Sequence, residues 1–551
     1  MSAGGRVLAL FYRGKKGSLD DLRIAVVVQR MAVAIGLALV FVIRRTTFGM
    51  IVRAGVDDRP MVSGLGVNIE RVNGAAFFLG SLLAGVGGVL GGSFLVIAPG
   101  EDVDFLLKAL VVVIVGGMGS LGGAAIGALA LGLIEAWAPQ YLPGGTTNYS
   151  ILVTFLLLVF VLAVRPLGLF GRPIARSAAE AARLGPGESL ARRTGQAPAR
   201  WINWSAAGAI VLFLVLAPPL NIVSGFNLST IGVRSLWLGI AAASVTFLAG
   251  YGGMVSLAQV AIYGIAGFTY ADLVVKLGWS HWPAIATGIA VAVGMGLLVG
   301  LVASRSEGIY FLMLTLAVGV IGFYFYLQVE ELSGQTGLHL ERAPDLVGRD
   351  PVTDPTRLYY AALIVSAAIY LFLRYLGRTP FGLTLQGIRD DPVRMSSLGY
   401  NVALHRAAAF AVGALVASLA GMFSVFFNLQ ISPSSIDIGQ IIVVLAIAVV
   451  GGINRLEGAW VGAVVYSVIF TYTVDWAGNV PHLLEKTLEP ERSPTWLGLV
   501  IEAVVLASPG GLMGVWDNVV AYACRRLGLA RTSSPRARRP VEPSPAGEQE
   551  A

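Results

Sequence analysis

Residues 381–401 read FGLTLQGIRDDPVRMSSLGYN, and residues 48–68 read FGMIVRAGVDDRPMVSGLGVN. Extended without gaps to residues 410 and 77, the two stretches share eleven identities in thirty positions. Phe48/Phe381, Gly49/Gly382, Asp57/Asp390, Asp58/Asp391, Leu65/Leu398, Gly66/Gly399 and Asn68/Asn401 all coincide. The match continues through Gly80/Gly413, Leu82/Leu415 and Gly88/Gly421. After a two-residue shift, Val115-Gly116-Gly117-Met118 faces Val450-Gly451-Gly452-Ile453, and Gly127 faces Gly462. Pro166-Leu167-Gly168-Leu169 and Pro509-Gly510-Gly511-Leu512 close the two copies in similar fashion. An internal repeat of this kind decides the architecture before any single element does. Helix packing has no need of paired aspartates in a solvated loop, so their recurrence points to a shared role for the two loops.

The flanks of these loops are strongly apolar. Of 551 residues, 56% are hydrophobic and 13% charged, and the mean hydropathy is +0.75. Soluble domains carry roughly 25% charged residues. Each crossing of a bilayer core of about 30 Å takes about 20 apolar residues in a helix, because every backbone group must be satisfied within the segment. The 69 glycines suit close helix contacts in lipid. The sequence therefore predicts an all-α polytopic membrane protein built on an internal repeat, with about 15 transmembrane helices. The expected spans in the first part are Ile24–Ile43, Gly74–Ile97, Phe105–Val115, Leu121–Trp137 and Tyr149–Val164. Those in the middle are Ser205–Ile222, Val233–Gly250, Met254–Val275, Pro283–Ala303, Gly308–Leu327 and Leu358–Leu376. Arg406–Phe427, Ile438–Val450, Gly458–Thr473 and Trp496–Ala507 follow.

Charge orients the chain. The formal net charge of +7 collects in short loops and in the tail, which favours the positive-inside rule over nucleic-acid binding. With the Arg-rich stretch 171–200 placed inside, six crossings return the chain inside at 377–405, and four more bring the basic tail inside. Both charged loops then lie on the same side, so the repeat is parallel, related by an axis along the membrane normal. The expected divisions are an N-terminal segment 1–23, membrane domains 24–171 and 201–516, a cytoplasmic linker 172–200, and a basic, Pro-rich cytoplasmic tail 517–551. The single cysteine, Cys524, and four histidines leave no basis for a disulfide framework or a metal site. Gly14-Lys15-Lys16-Gly17 lacks the earlier glycine and the hydroxyl residue of a phosphate-binding loop, so no catalytic residue is assigned and the chain is not expected to hydrolyse ATP itself.

Arg378-Thr379-Pro380-Phe381-Gly382, Arg389-Asp390-Asp391 and Leu398-Gly399-Tyr400-Asn401 resemble the cytoplasmic loop of branched-chain amino-acid ABC permeases. Those permeases come as two related types, called H and M. Residues 24–171 resemble the later part of an H-type subunit, and 201–516 a nearly complete M-type subunit, fused in one chain. Gly250-Tyr251-Gly252-Gly253-Met254-Val255-Ser256-Leu257-Ala258-Gln259 resembles the M-type pore-region helix, and Ser333-Gly334-Gln335-Thr336-Gly337-Leu338 its glycine-rich external loop. The resemblance implies a multi-pass permease of the bacterial inner (plasma) membrane. Two cytoplasmic ABC ATPase subunits would drive it and use the ATP, an extracytoplasmic substrate-binding protein would feed it, and no cofactor would be bound by this chain. The ATPase-coupling residues carried over are Arg53, Asp57, Asp58, Leu65, Gly66 and Asn68 in the first loop, and Arg389, Asp390, Asp391, Leu398, Gly399 and Asn401 in the second. The aspartates would act as helix-terminal or cross-interface acceptors, and Gly66 and Gly399 would end a helix in the left-handed region.

Ser256, Gln259 and Tyr263 are the expected pore-lining groups, spaced to share one helix face. Arg30, Lys108, Glu135, Asp272 and Glu502 are ionisable residues in or near spans, most at predicted helix ends, where snorkelling explains them. Branched-chain or other hydrophobic amino acids are the expected substrates. A urea or short-amide ABC permease and an ion-coupled secondary transporter are the alternatives. A single helix precedes the first loop where six precede the second. That leaves the basic residues of 1–23 outside, and an N-terminally incomplete H-type half, or a further permease subunit, would account for it.

Overall fold

A computed structural model describes residues 19–92, 101–141, 147–171, 228–341 (except 307, 330–331 and 333–335), 344, 355–476, 498–499, 502, 508 and 510–526. The expected span Ser205–Ile222, the linker and most of Trp496–Ala507 lie outside the described residues, as do most of the N-terminal segment and the tail and half of the external loop. Among the described residues eight helices are long and apolar enough to cross a membrane, and six shorter apolar helices accompany them. By contacts the chain divides into two compact units, Met1–Leu133 with Leu167–Ala182, and Ile134–Pro166 with Arg183–Ala551.

The first unit opens with α1 (Leu19–Arg45), α2 (Thr47–Asp57), α3 (Arg59–Gly64), α4 (Ile69–Gly92) and α5 (Glu101–Gly116). It continues into α6 (Leu121–Tyr141), and its closing segment after Leu167 returns to the end of α5, where Leu169 N–H donates to the Val115 carbonyl at 2.9 Å. No residue of α4 is buried.

The second unit begins with α7 (Thr147–Val164), which packs on α11 (Ile309–Gln328). Its centre is α8 (Leu228–Gly252), flanked by α12 (Pro355–Leu376), α15 (Val402–Asn428) and α17 (Leu456–Trp476). A helix that is apolar all round belongs in such an interior. Around it stand α9 (Gln259–Val275), α10 (His281–Ala303), α13 (Pro380–Asp390), α14 (Pro392–Ser397), α16 (Ile438–Gly451) and α18 (Gly511–Arg526). β1 (Leu338–His339) pairs antiparallel with β2 (Gln430–Ile431), with Leu338 and Ile431 buried.

Small residues set the packing. The buried positions of α10 are Ala284, Gly288, Ala292, Gly296, Gly300 and Ala303, nearly a four-residue ridge, so one narrow stripe meets α15 and α9 while the rest of α10 is exposed or half-buried. A Cβ on Gly296 would come within 2.3 Å of the Ala414 side chain, and one on Gly421 within 2.2 Å of the Tyr263 carbonyl. Gly421→Leu is therefore expected to destabilise the purified chain by about 1–3 kcal/mol through overpacking. Among the described residues a Cβ on the equivalent Gly88 would meet nothing within 4 Å, so Gly88→Leu should shift stability by no more than about 0.5 kcal/mol. Thermal unfolding in detergent checks both; equal midpoints for the two variants would contradict the packing.

The repeat holds in three dimensions. A Cβ on Gly116 or Gly451 would strike the Gly123 or Gly458 carbonyl, and one on Gly127 or Gly462 the Val112 or Ile447 carbonyl. Gly117 and Gly452, with φ of +97° and +116°, make the same turn after their helices, a conformation that only glycine adopts cheaply. What differs is the surroundings. Phe410 of α15, facing α11, is 1% exposed, while its equivalent Phe77 on α4 is 79% exposed.

Candidate functional site

Each loop forms two short helices joined by an aspartate. Thr46 and Thr379 open the first helix, each hydroxyl accepting from the N–H of the glycine three residues on, at 3.3 and 3.4 Å. Asp58 and Asp391 cap the second, accepting from Met61 N–H and Arg394 N–H at 3.0 Å each. An aspartate at an N-cap satisfies an orphan donor and favours the helix dipole. The second aspartate of each pair is thus a cap, with equal geometry in both copies.

The far ends match too. Leu65 and Leu398 sit at the C-caps, and Gly66 and Gly399 follow with φ of +85° and +89°, the left-handed turn expected of them. Asn68 then accepts from Glu70 N–H and Arg71 N–H at 3.1 and 3.2 Å, and Asn401 from Leu404 N–H at 3.0 Å, where the next membrane helix begins. Arg53 Nε donates to the Gly49 carbonyl at 3.3 Å, and Gln386, at the equivalent position, donates to the Gly382 carbonyl at 3.2 Å. Both loops keep apolar side chains exposed: Val56, Met61 and Leu65 in one, Val393 and Leu398 in the other. Asp57 lies at the end of α2.

One difference joins the second loop to a membrane helix. Arg389 pairs through Nε and Nη2 with Asp390 Oδ1 at 3.0 and 2.9 Å, while its Nη1 donates to the Gly250 carbonyl in the last turn of α8. Val56 occupies the equivalent position of the first loop. The link to Gly250 is not legible from sequence, since it joins residues 139 apart. Thr46 and Thr379 precede the aligned stretches by two residues each, and the structure shows them as caps.

The three expected pore residues are all buried, and the structure corrects their arrangement. Met254–Val275 is not one helix: residues 253–258 are non-helical and α9 starts only at Gln259. Ser256 therefore precedes the helix and does not share its face. The physical reason is Gly253, at φ +66°, which turns the chain under α8, after which Leu257 N–H is satisfied by the Thr315 hydroxyl at 3.1 Å. Tyr263 donates to Ser424 Oγ at 2.5 Å, a helix-to-helix bond. Gln259 and Tyr263 do come together, lining a small cavity with Trp237, Ala241, Val260, Gln440 and Val444. Of the ionisable residues, Asp272 pairs with Lys276 at 2.5 Å at the end of α9, and Glu502 is exposed.

Known proteins resemble the chain in two separate stretches. A family model described as branched-chain amino acid transport system, permease component, matches residues 12–162 and 227–508. The high-affinity branched-chain amino acid transport system permease protein LivH of Escherichia coli K12 is 43% identical over 138 residues, 25% of this chain and 44% of LivH. BraD of Pseudomonas aeruginosa, with the corresponding description, is 37% identical over 156 residues, 28% of this chain and 49% of BraD. LivM of Escherichia coli K12 is 25% identical over 268 residues, 44% of this chain and 62% of LivM. The LivH-like and LivM-like relatives cover different parts of the chain, which spans about half the length of the curated relatives it matches. No solved structure matches.

Proposed function

The chain belongs to the permease component family of branched-chain amino acid transport systems, and on that premise we propose that it forms the translocation pathway of an ABC importer for branched-chain or other hydrophobic amino acids. It is a multi-pass protein of the bacterial inner membrane. The observation that carries the reading is the pair of loops, built twice with the same caps, the same left-handed glycine and the same exposed leucine. A turn fixed by its own caps that keeps apolar side chains exposed offers a preformed docking surface. The partners that fit are two cytoplasmic ABC ATPases, one per loop, which would use the ATP, and an extracytoplasmic binding protein. This chain would bind no cofactor of its own.

A further permease subunit is part of the proposal. Gly413 and Gly421 of α15 meet α8 and α9, and Phe410 is buried. Among the described residues, a Cβ on their equivalents Gly80 and Gly88 would meet nothing within 4 Å, and Phe77 is exposed. Three helices like α8, α9 and α10, contributed by a related permease, would fit that face of α4.

Uptake of labelled leucine, urea and acetamide in a strain lacking this gene tests the reading. Leucine uptake is expected to fall to background and to return with the gene. Loss of urea or acetamide uptake with leucine unaffected would overturn the substrate class. Uptake driven by an ion gradient without ATP would overturn the ABC assignment.

A further inference from the structure

The last described helix, α18, differs in kind from the spans. It has 16 residues, so at about 1.5 Å per residue it measures about 24 Å, short of a bilayer core of about 30 Å, and it carries Asp517 and Asn518. One of its faces is nonetheless apolar and open. Val515, Val519 and Tyr522 follow one another at steps of four and three residues, Trp516 stands beside them, and all four are exposed. The other face holds the helix to the protein: Arg455 Nη2 pairs with Asp517 Oδ2 at 2.6 Å, and Val520 is buried.

Its level is fixed at its start. Ser508 Oγ donates to the Gly511 carbonyl at 2.9 Å, Gly511 turns at φ +67°, and a Cβ there would lie 2.7 Å from the amide nitrogen of Gly452 at the end of α16. The turn between α16 and α17 runs beside the end of α8, where a Cβ on Gly250 would lie 3.5 Å from the carbonyl oxygens of Ile453 and Asn454. Gly250 is also where Arg389 of the second loop attaches. α18 therefore leaves the bundle at the level where α8 and α16 end. That is the second loop's side of the membrane, which the basic residues assign to the cytoplasm.

Charge selects what covers the open face. The helix ends on Arg525 and Arg526, Arg531, Arg536, Arg538 and Arg539 follow in the sequence, and Asp517, already paired, is the one acidic residue from 511 to 541. An apolar stripe flanked by tryptophan and tyrosine and continued by a basic run is the composition of a helix that lies in a bilayer surface. A run of arginines next to a span is drawn to anionic headgroups. We propose that α18 is an interfacial anchor for anionic phospholipid. Val515 and Val519 enter the upper acyl chains of the cytoplasmic leaflet, Trp516 and Tyr522 sit at headgroup level, and the basic run that begins at Arg525 is held by the headgroup phosphates. Through Asp517 and Arg455 the anchored helix ties the turn between α16 and α17 to the membrane surface.

The test uses the full chain, with the partners that purify with it, in lipid nanodiscs. Cys524, the single cysteine, is replaced in Cys524→Ser, and a spin label is attached through Val519→Cys. In phosphatidylethanolamine with about 30% phosphatidylglycerol, the label is expected to be at least about fivefold less accessible to an aqueous nickel complex than one attached through Ser396→Cys, an exposed position of the second loop. Without phosphatidylglycerol, or in about 0.5 M salt, accessibility at 519 should rise by about twofold or more as the headgroup attraction is removed or screened. Equal accessibility at 519 and 396 would overturn the proposal. So would protection at 519 that appears only when ATPase subunits are added, since the face would then be theirs. Protection indifferent to both phosphatidylglycerol and salt would overturn the assignment to anionic lipid. If the Val519→Cys chain does not reach the membrane, Val515→Cys, one turn earlier on the same face, carries the label in the same comparison.

Discussion

Arg389→Ala is expected to cut uptake by at least about tenfold while leaving membrane insertion and ATPase binding intact. The reason lies at the end of α8. The last carbonyls of a helix have no partner within it, and a cation there is favoured both by hydrogen bonding and by the dipole. Arg389 supplies both at Gly250, from the last turn of α13. Its stem also fills the place beside Gly253, where a Cβ would lie 2.6 Å from Arg389 Cγ. The guanidinium is held flat by Asp390 at its other edge. One side chain thus fastens the second loop to the point where α8 yields to the non-helical segment 253–258. A displacement of the loop by a docked ATPase would reach the break through this contact, and so the half-helix start of α9. Without the guanidinium the ATPases should still dock and hydrolyse ATP, and transport should not follow. Arg389→Lys should rescue in part, since a point charge reaches the carbonyl but lacks the fork that engages Asp390. ATPase and uptake rates measured on the same proteoliposomes separate the two activities; an Arg389→Ala transporter with normal uptake would remove the contact from the coupling route.

How much of this is readable from sequence depends on the range of the interaction. Helix spans follow from apolar length, and the observed α15, α16 and α17 lie within a few residues of expectation. The caps are legible because they are local: an aspartate before a short helix and a glycine after it carry their physics within four residues. The repeat makes them more so, because Asp58/Asp391 and Asn68/Asn401 can be read against each other. Gly250, Gly252 and Gly253 mark where one expected span ends, but the non-helical stretch that follows them reads as helix from Met254 onward. Nothing in periodicity distinguishes a buried non-helical segment from a buried helix. Its stabilisation depends on Thr315, 58 residues away from Leu257, and Tyr263 finds Ser424 at a separation of 161. The packing of α7 on α11 is equally out of reach, since both helices are apolar on all sides and advertise no preferred face.

The two loops also lead to the second large effect. Leu65 and Leu398 are 75% and 66% exposed at identical positions, each held at the C-cap of its short helix by the left-handed glycine that follows. An isolated exposed leucine is ordinary. The same leucine presented twice on the same rigid turn, with Met61 and Val56 near one copy and Val393 near the other, is a repeated apolar knob. Burying such a side chain in a groove of a partner contributes about 1.5–3 kcal/mol, so replacing it with a carboxylate should weaken docking by roughly 10–100-fold or more. The double variant Leu65→Asp, Leu398→Asp is expected to purify without ATPase subunits. Each single variant should retain one ATPase per chain, because the knobs serve separate subunits. Each loop keeps its caps, Thr46, Asp58 and Asn68 or Thr379, Asp391 and Asn401, so the fold of the chain should not change, and thermal unfolding checks that it does not. Full ATPase stoichiometry in the double variant would mean that the loops are not where the ATPases hold. Loss of both ATPases from either single variant would mean that the two sites are occupied only together, as a closed pair of ATPases gripping both loops would require.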